Sequence, residues 1–295
     1  MNFKKWKYYI VLTILLIAIV SVAGFMTFGK TEAVIDPSEP DLITPDPDEP
    51  EEPTNPDDSN NDQPLTFKNW YKLYSYASDM AFTTGFTSTF HMTVISSAPV
   101  IGDIKQVVTG TQKCNPALGI QDQESWGSNN FSADGVYYHY VYFQDCKAYS
   151  KRTLNADPAT KTKTFGDEPL DAWDVDENYR MPFTALRNLE INEKNCKLSS
   201  FDKVSSKDFT IIKLAFKLEK LPESYIESFN WGIVKGIEPR GFSIEIRVSK
   251  KNNKLYSITS KENYYVDSSL GKYPCESVTT QKFQIKSDVE IIKGF

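Results

Sequence analysis

Residues 31–64 cannot form a packed core, and this segment divides the chain into parts that behave differently. The segment carries 12 of the 39 acidic residues and 8 of the 16 prolines, and it contains no Lys or Arg. Like charges repel one another, and each Pro fixes its φ and lacks a backbone N–H donor. We therefore predict a disordered acidic stalk over residues 30–64, up to about 3 Å long per residue. A Ca²⁺-binding tail is a second interpretation, although selective Ca²⁺ sites need carboxylates that converge on a folded loop.

The first 29 residues have the composition of a membrane anchor. Lys4, Lys5 and Lys7 precede an uncharged stretch of 21 residues, 8–28. As a helix this stretch would extend about 31 Å, which is enough to cross the hydrocarbon core of a bilayer. The lysines favour a cytoplasmic N-terminus, so we predict a single-pass signal anchor over residues 1–29, with the rest of the chain outside the cell. The alternative is a secretory signal cleaved after Ala23, which would export the same remainder.

Residues 65–295 are the part of the chain that can fold, and they are almost electrically neutral. They hold 29 basic and 27 acidic residues, a net charge of +2. Because phosphate neutralisation needs clustered Lys and Arg, this balance argues against a nucleic-acid partner. Their 231 residues suffice for a large core. We predict one extracellular domain over residues 65–295.

Within this domain a helical repeat is followed by a change to strand periodicity. Over residues 65–81 apolar side chains recur every three or four residues, which predicts a helix with one apolar stripe. Over residues 86–94 the period becomes two, as in a strand. Two further strands are predicted over 104–111 and 136–143. The second of them is aromatic on both faces, which is typical of a central strand covered on both sides.

The second half of the domain predicts more strands, joined by short turns. They are expected over 209–218, 242–248, 255–265 and 276–285. Short helices are expected over 182–189 and 222–231. Because short connections favour antiparallel pairing, the predicted fold class is α+β. We expect a curved antiparallel sheet, or half-barrel, with the N-terminal helix and the short helices on its concave side.

Three stretches of this layout resemble the LolA-like superfamily of extracytoplasmic lipoprotein carriers. They are TSTFHMTVIS after the first helix, the tyrosine-rich strand GVYYHYVYF and the late hairpin FSIEIRVSKKNNKLYSITSKENYY. The resemblance implies a half-barrel closed by helices over an apolar cavity that binds acyl chains or other hydrophobic groups. It implies a lining of apolar strand residues, namely Phe90, Met92, Tyr138, Tyr140, Leu214, Phe216, Ile244 and Ile246, and a lid with Tyr225, Phe229 and Trp231. The alternative is that these side chains fill a solid core.

The chain has four cysteines, Cys114, Cys146, Cys196 and Cys275. An even number of cysteines in an exported domain predicts two disulfides. If the strands that end near Cys114 and Cys146 pair as antiparallel neighbours, these residues lie about 30 Å apart. A disulfide allows only about 7 Å between Cα atoms, so we expect each of them to pair with Cys196 or Cys275. No CxxC pair occurs, so no zinc site is expected.

The sequence shows no recognised catalytic or cofactor-binding motif. It lacks the GxSxG and HExxH signatures of common hydrolases and the glycine-rich loops that bind phosphate or dinucleotides. Its two histidines, His91 and His139, lie in predicted strands, where a hydrogen-bonded structural role is expected. The acids between residues 167 and 177 lack the order of an EF-hand and predict a solvated loop. We therefore predict no metal, no cofactor and no enzymatic activity.

These patterns lead to one functional hypothesis and two alternatives. We expect a membrane-anchored extracytoplasmic protein that binds a hydrophobic or amphiphilic, lipid-like ligand without covalent chemistry. Its tether favours local capture, hand-off or sensing over long-range transport, and its expected partners are the membrane and this ligand, not a nucleic acid. The first alternative is a structural protein that contacts a protein or wall polymer at the cell surface. The second is a glycan-processing enzyme with two carboxylates facing each other across a tryptophan-lined cleft.

Overall fold

The structure is a computed structural model that describes eight ranges of the chain. They are residues 65–98, 102–129, 137–154, 171–176, 179–187, 189–227, 234–268 and 271–292. The predicted anchor over 1–29 and the predicted stalk over 30–64 lie outside the described residues. Within these ranges, no helix has the length and apolar composition needed to span a membrane.

The domain begins with helix α1, Trp70–Thr84, and both of its ends are fixed by hydrogen bonds. The side-chain oxygen of Asn69 accepts hydrogen bonds from the backbone N–H groups of residues 71 and 72, at 2.6 and 3.2 Å, which caps the N-terminus. Gly85 ends the helix with a φ of 104°, a conformation that favours glycine. The helix starts five residues later than predicted because Asn69 is the cap. Its buried stripe is Trp70, Leu73, Tyr74, Ala77 and Ala81, as the periodicity predicts.

In the described part of the chain, eleven strands form one open antiparallel sheet. They are β1 (Phe86–Ala98), β2 (Gly102–Asn115), β3 (Ile120–Asn129), β4 (Tyr137–Gln144), β5 (Lys147–Leu154), β6 (Asp171–Asp174), β7 (Cys196–Asp202), β8 (Phe209–Phe216), β9 (Val234–Ser249), β10 (Leu255–Ser268) and β11 (Gly271–Ile285). Their order across the sheet is β6-β5-β4-β3-β2-β1-β11-β10-β9-β8-β7. A 3-10 turn, Leu218–Lys220, and helix α2, Glu223–Glu227, separate β8 from β9. The first and last strands therefore pair at the middle of the sheet, and the prediction of a large antiparallel sheet is confirmed.

The sheet curves around α1. The helix contacts β2, β9 and β10, although three strands lie between β2 and β9 in the sheet. At about 4.8 Å per strand, a flat sheet would hold β2 and β9 roughly 19 Å apart. That separation exceeds the diameter of a helix with its side chains, about 10–12 Å. The strands therefore wrap around the helix, and we call the face toward α1 the inner face and the opposite face the outer face.

Four strands, β3, β5, β6 and β7, are not predicted by the sequence. β3 reads IQDQESWGSN, in which Gln121 and Gln123 replace the apolar residues expected at inward positions. β6 lies in the acidic region that predicts a solvated loop, and it pairs with β5 at the edge of the sheet. The loop prediction is therefore wrong for Asp171–Asp174. Edge strands of this kind lack apolar alternation because they expose most of their side chains to water.

Residues 179–187, which we call the strap, cross the inner face without forming a helix. The predicted helix over 182–189 is wrong for the described part of that range. The segment forms isolated turns instead, in one of which the backbone N–H groups of Leu186 and Arg187 donate to the carbonyl of Phe183. The strap crosses the sheet from the β3 side toward β10, so its backbone is available to partners on the strands.

Buried glutamines of the sheet supply those partners. Met181 N donates to Gln121 Oε1 at 2.8 Å, and Ala185 N donates to Gln281 Oε1 at 3.1 Å. The side chain of Gln112 in turn donates to the carbonyl of residue 182 at 3.0 Å. Since a buried backbone group without a partner costs free energy, these side chains replace the hydrogen bonds that a helix would have made.

Gly110 is required where the ring of Phe90 crosses the neighbouring strand. A Cβ at position 110 would overlap the carbonyl oxygen of Glu124 and would lie 2.5 Å from Cζ of Phe90. We expect Gly110→Ala to lower the free energy of unfolding by about 1–3 kcal/mol because the core is overpacked. The matched control is Gly241→Ala, where the nearest atom is Nδ2 of Asn263 at 3.7 Å. Equal losses for both variants in urea denaturation would contradict this interpretation.

Candidate functional site

The inner face carries one large apolar core, and seven of the predicted ligand-binding residues belong to it. They are Phe90, Met92, Leu214, Phe216, Tyr225, Ile244 and Ile246. Each of them is at most 5% exposed, and they share this core with the buried stripe of α1 and with strap residues. The structure therefore brings these seven residues together beneath the helix and the strap. Phe229 and Trp231, the other two residues of the predicted lid, lie outside the described residues.

Tyr138 and Tyr140 lie on the outer face, so a single lining shared by all the predicted residues is wrong. Tyr138 pairs with Trp126 on β3, and the pairing continues across β2 to His91 on β1, so these three side chains lie on the same face of the sheet. Phe90, which precedes His91, points to the opposite, inner face. The two tyrosines form a separate outer cluster with Trp126. β4 is aromatic on both faces, as predicted, and only the register through β3 decides which aromatic residues face inward.

A buried ion pair interrupts the inner core. Nε of Arg187 lies 3.1 Å from Oε1 of Glu262, with side chains 5% and 2% exposed. The hydroxyl of Tyr225 donates to Oε2 of Glu262 at 2.7 Å. Burial is the largest single influence on the pKa of Arg187 and acts to lower it, but the carboxylate of Glu262 and the other acidic groups around the guanidinium together raise the pKa. Burial also raises the pKa of Tyr225 well above its ordinary value, so the phenol stays neutral.

The floor of the inner face is polar beside this ion pair. Ser277 is the cross-strand partner of Glu262, and Thr279 is the partner of Ser260. All four residues are 1% exposed. Within the part of the chain that the structure describes, the three hydroxyls make no hydrogen bond. The uniformly apolar lining implied by the resemblance is therefore wrong at the centre of β10 and β11, and the polar residues at inward positions of these strands are the signal that could have predicted it.

Among the described residues, two clefts open at the end of the sheet where α1 ends. The first, which we call the thiol cleft, has a volume of about 510 Å³ and lies between the ends of α1, β2 and β4. Its walls include Phe82, Cys114, Phe143, Cys146 and Arg180. The guanidinium of Arg180 lies 5.1 Å from the ring centroid of Phe82 and forms an ion pair with an aspartate of α1 at 2.7 Å. This cleft therefore combines aromatic walls with one cation at its rim.

The second cleft, which we call the lysine cleft, has a volume of about 600 Å³. Four lysines and one aspartate line it, namely Lys207, Lys250, Lys251, Lys254 and Asp208. Phe209 and Tyr256 stack at one side of it, with ring centroids 4.4 Å apart, and Phe283 and Ile285 contribute core residues of β11. The turn KKNNK between β9 and β10 brings three of the lysines together. In the sequence these residues are recognisable only as the turn of the late hairpin, because nothing in the pattern shows which strand ends lie beside them.

Four phenylalanines separate the two clefts and close this end of the inner core. Phe86 pairs with Cys114 on one side and with Ile285 on the other, which places both clefts at the same end of the sheet. Phe183 of the strap packs against Phe82, Phe86 and Phe283, with ring centroids 5.0, 5.7 and 4.9 Å away. Phe82 lines the thiol cleft and Phe283 lines the lysine cleft. Residues of the core therefore form a wall of both clefts.

All four cysteines are free thiols, so the prediction of two disulfides is wrong. Cys275 pairs with Ser96, ten residues along β1 from Phe86, the partner of Cys114. At roughly 3.3 Å per residue, Cys114 and Cys275 are about 33 Å apart. The assumption that the strands of Cys114 and Cys146 are neighbours is also wrong, because β3 lies between β2 and β4. Both residues consequently reach the same end of the sheet and line the thiol cleft.

The thiols differ in exposure, which predicts a reactivity pattern. Cys146 is exposed, whereas the other three are buried, and burial raises the pKa of Cys114 to about 12 and of Cys196 to about 11. The thiolate is the nucleophile. We expect one thiol to react rapidly with Ellman's reagent at pH 8 in the folded protein and four to react in guanidinium. Cys146→Ser should abolish the rapid reaction, and a reductant requirement for any of the four would contradict the finding of free thiols.

The same pKa shifts predict how stability depends on pH. A neutral buried thiol stabilises the fold fully below the pKa of the unfolded thiol, about 8.5. That contribution is lost as the pH rises toward the folded values of about 12 for Cys114 and about 11 for Cys196. We expect the free energy of unfolding to fall between about pH 9 and pH 11, and a Cys114→Ala variant should show a shallower fall.

Comparison with known proteins does not assign this chain to a family. No family model and no curated protein matches the chain. Among solved structures, a LolA superfamily protein from Nitrosomonas europaea is 7% identical, with 74% of this chain and 94% of that chain covered and a TM-score of 0.23. A domain from Vibrio parahaemolyticus described as an outer membrane lipoprotein-sorting protein is 5% identical, with 75% and 93% covered and a TM-score of 0.26. Both TM-scores lie below 0.5, so these similarities establish neither a family nor a function for this chain.

Proposed function

We propose that this chain is a membrane-anchored extracytoplasmic protein that binds a hydrophobic or amphiphilic, lipid-like ligand without covalent chemistry. The binding region is the end of the sheet where the thiol cleft and the lysine cleft open. One observation carries the proposal: Phe283 of the inner core and Phe82, which packs against that core, form walls of these clefts. A ligand in either cleft would therefore contact core aromatic side chains from outside the protein.

The physical properties of the lysine cleft suit an amphiphile. Its apolar side, with Phe283, Ile285 and Tyr256, offers surface on which each buried CH₂ group of a ligand gains about 0.8 kcal/mol. Its lysines offer charge to a polar head at the rim. The volume of about 600 Å³ falls within the range usual for small-molecule sites, about 300–1,000 Å³. The covered inner core, in contrast, needs α1 or the strap to move before it can admit a ligand.

The sequence supports the proposed anchor, and the surroundings of the two histidines support binding without covalent chemistry. The segment over 1–29 predicts the anchor, which restricts the domain to capture or hand-off close to the membrane. Nε2 of His139 lies 2.6 Å from Oγ of Ser150, and Nε2 of His91 lies 3.2 Å from Oγ1 of Thr93. His139 and Ser150 are both buried in the sheet, which suits a structural role.

Photolabelling in membranes tests the proposed function. The full chain would be irradiated with a diazirine-bearing fatty acid, and the labelled peptides would be identified by mass spectrometry. We expect labels near Phe82 and Phe283 that an excess of unlabelled fatty acid removes. Phe283→Asp should reduce labelling of the lysine cleft at least tenfold, whereas Val204→Asp, at a site 88% exposed, should not. Labelling confined to residues 1–29, or unaffected by Phe283→Asp, would contradict the proposal.

A further inference from the structure

We propose that the acidic segment of this same chain, residues 31–64, docks in the lysine cleft and competes there with the ligand. The charges of the two surfaces are complementary. Four lysines and one aspartate line the cleft, and the acidic segment carries 12 acidic residues and no basic residue. The competition rests on the proposed function, whereas the contact between the acidic segment and the cleft does not.

The acidic segment joins the domain at the rim of the lysine cleft. Nδ2 of Asn253 donates to the carbonyl oxygen of Leu65 at 2.8 Å. Asn253 is buried and lies in the turn between Lys251 and Lys254, with a φ of 53° that fixes the turn. The side-chain amine of the lysine at position 203 also donates a hydrogen bond to the backbone carbonyl oxygen of residue 67. The first described residues of the domain are therefore held beside the lysines that we propose as the docking site.

The residues between these acids and the first described residue of the domain are numerous enough for the acids to reach the cleft without any change in the fold. Asp57, Asp58 and Asp62 lie within eight residues of Leu65. At no more than about 3.6 Å per residue, eight residues extend up to roughly 29 Å. A short tether of this kind gives an effective concentration in the millimolar range. Individually weak, exposed Lys–carboxylate pairs can therefore hold the acidic segment in place, because no second molecule has to be captured.

The aromatic side of the cleft suits the prolines of the acidic segment. Phe209 and Tyr256 stack at the cleft with ring centroids 4.4 Å apart, and Tyr256 is exposed. Grooves lined by aromatic rings are the usual docking sites of proline-rich segments, which lose little entropy when they bind in an extended form. Eight prolines alternate with the acids of the acidic segment. One occupant thus accounts for both the lysines and the exposed aromatic pair.

Docking of this kind would make ligand binding dependent on ionic strength. Salt screens exposed charges over about 8 Å at physiological concentration and over about 3 Å at 1 M. Raising the salt concentration should release the acidic segment and free the apolar wall of the lysine cleft, while an uncharged amphiphile in the cleft should lose no affinity. A membrane surface or a ligand head with several anionic groups could displace the acidic segment by the same chemistry.

Zero-length crosslinking of the full chain in membranes tests the contact. A carbodiimide joins a carboxylate to a lysine amine only when the two touch, and mass spectrometry identifies the joined peptides. We expect peptides of 31–64 joined to Lys250, Lys251 or Lys254 at least fivefold more often than to Lys105 and Lys272, which lie at the opposite end of the sheet. The preference should disappear in 1 M salt.

Matched variants separate this contact from its alternatives. Asp57, Asp58 and Asp62 changed together to Asn should reduce these crosslinks at least threefold, and Lys105→Gln should leave them unchanged. Crosslinks spread evenly over distant lysines, or found only in dimeric chains, would overturn docking within one chain. Lysine-dependent binding to phosphatidylglycerol vesicles without such crosslinks would overturn it too, and would assign the cleft to a lipid surface. Because no fatty acid is present, a negative result here leaves the photolabelling outcome unaffected.

Discussion

Replacing Arg187 with Met is expected to lower the free energy of unfolding by about 3–5 kcal/mol, the largest loss we predict from a single polar side chain. Its side chain and that of Glu262 are 5% and 2% exposed, and their charged atoms lie 3.1 Å apart. Removing one partner leaves the carboxylate buried without its counter-charge, and that penalty exceeds the value of the pair itself. Urea denaturation followed by tryptophan fluorescence measures the loss.

The matched control for this prediction is Arg180→Met. Arg180 pairs with Asp79 at 2.7 Å, but their side chains are 48% and 57% exposed. Exposed pairs contribute about 0–1 kcal/mol, so this variant should unfold close to the parent protein. The double variant Arg187→Met with Glu262→Leu should recover part of the loss, because no buried charge then lacks a partner. Equal losses for Arg187→Met and Arg180→Met would show that burial does not govern the energetics of the pair.

Phe183→Ala is expected to cost about 3–5 kcal/mol, comparable to the loss of the ion pair. Phe183 is buried and its ring packs against three other phenylalanine rings of α1, β1 and β11. Truncation removes apolar burial and leaves a void at the point where strap, helix and sheet meet. The void also joins the thiol cleft to the lysine cleft, so the variant should bind an apolar fluorescent probe more strongly than the parent protein does.

Phe209→Ala provides the comparison for this second prediction. Phe209 lies at the rim of the lysine cleft and is only half-buried, so its truncation should cost less than about 1.5 kcal/mol. It should weaken photolabelling of that cleft instead. If Phe183→Ala costs no more than Phe209→Ala, the aromatic cluster does not hold the strap on the sheet.

The strands that alternate cleanly could be predicted from sequence, and those that pair through polar residues could not. β8 and the part of β9 over residues 242–248 place apolar residues at alternate positions, so their existence follows from the pattern. β3 carries Gln121 and Gln123 at its inward positions because the strap needs hydrogen-bond partners there. A two-residue apolar period predicts a strand only when its inward side chains are apolar. It does not reveal a strand whose inward side chains are polar and make hydrogen bonds in the interior.

Missing β3 explains the main errors about the site. Without β3, the strands of Cys114 and Cys146 are taken as neighbours, which places the two thiols at opposite ends. Tyr138 is placed in the lining by the resemblance alone, because β4 is aromatic on both faces and only its register with β3 shows which of these residues face inward. The clefts form where the ends of strands that are not consecutive in the sequence lie side by side. Lys207, in the segment before β8, and Phe283 of β11 line the same cleft in this way. The local sequence does not indicate which strand ends lie beside one another.

Native mass spectrometry of the full chain, purified in a mild detergent, tests directly whether the protein carries a lipid-like ligand. We expect one lipid-like molecule bound per chain, retained in Val204→Asp and lost in Phe283→Asp, because only the second change places a charge on the wall shared by the core and the lysine cleft. A chain that carries no amphiphile in any sample, or one that keeps it equally in both variants, would contradict binding at this end of the sheet.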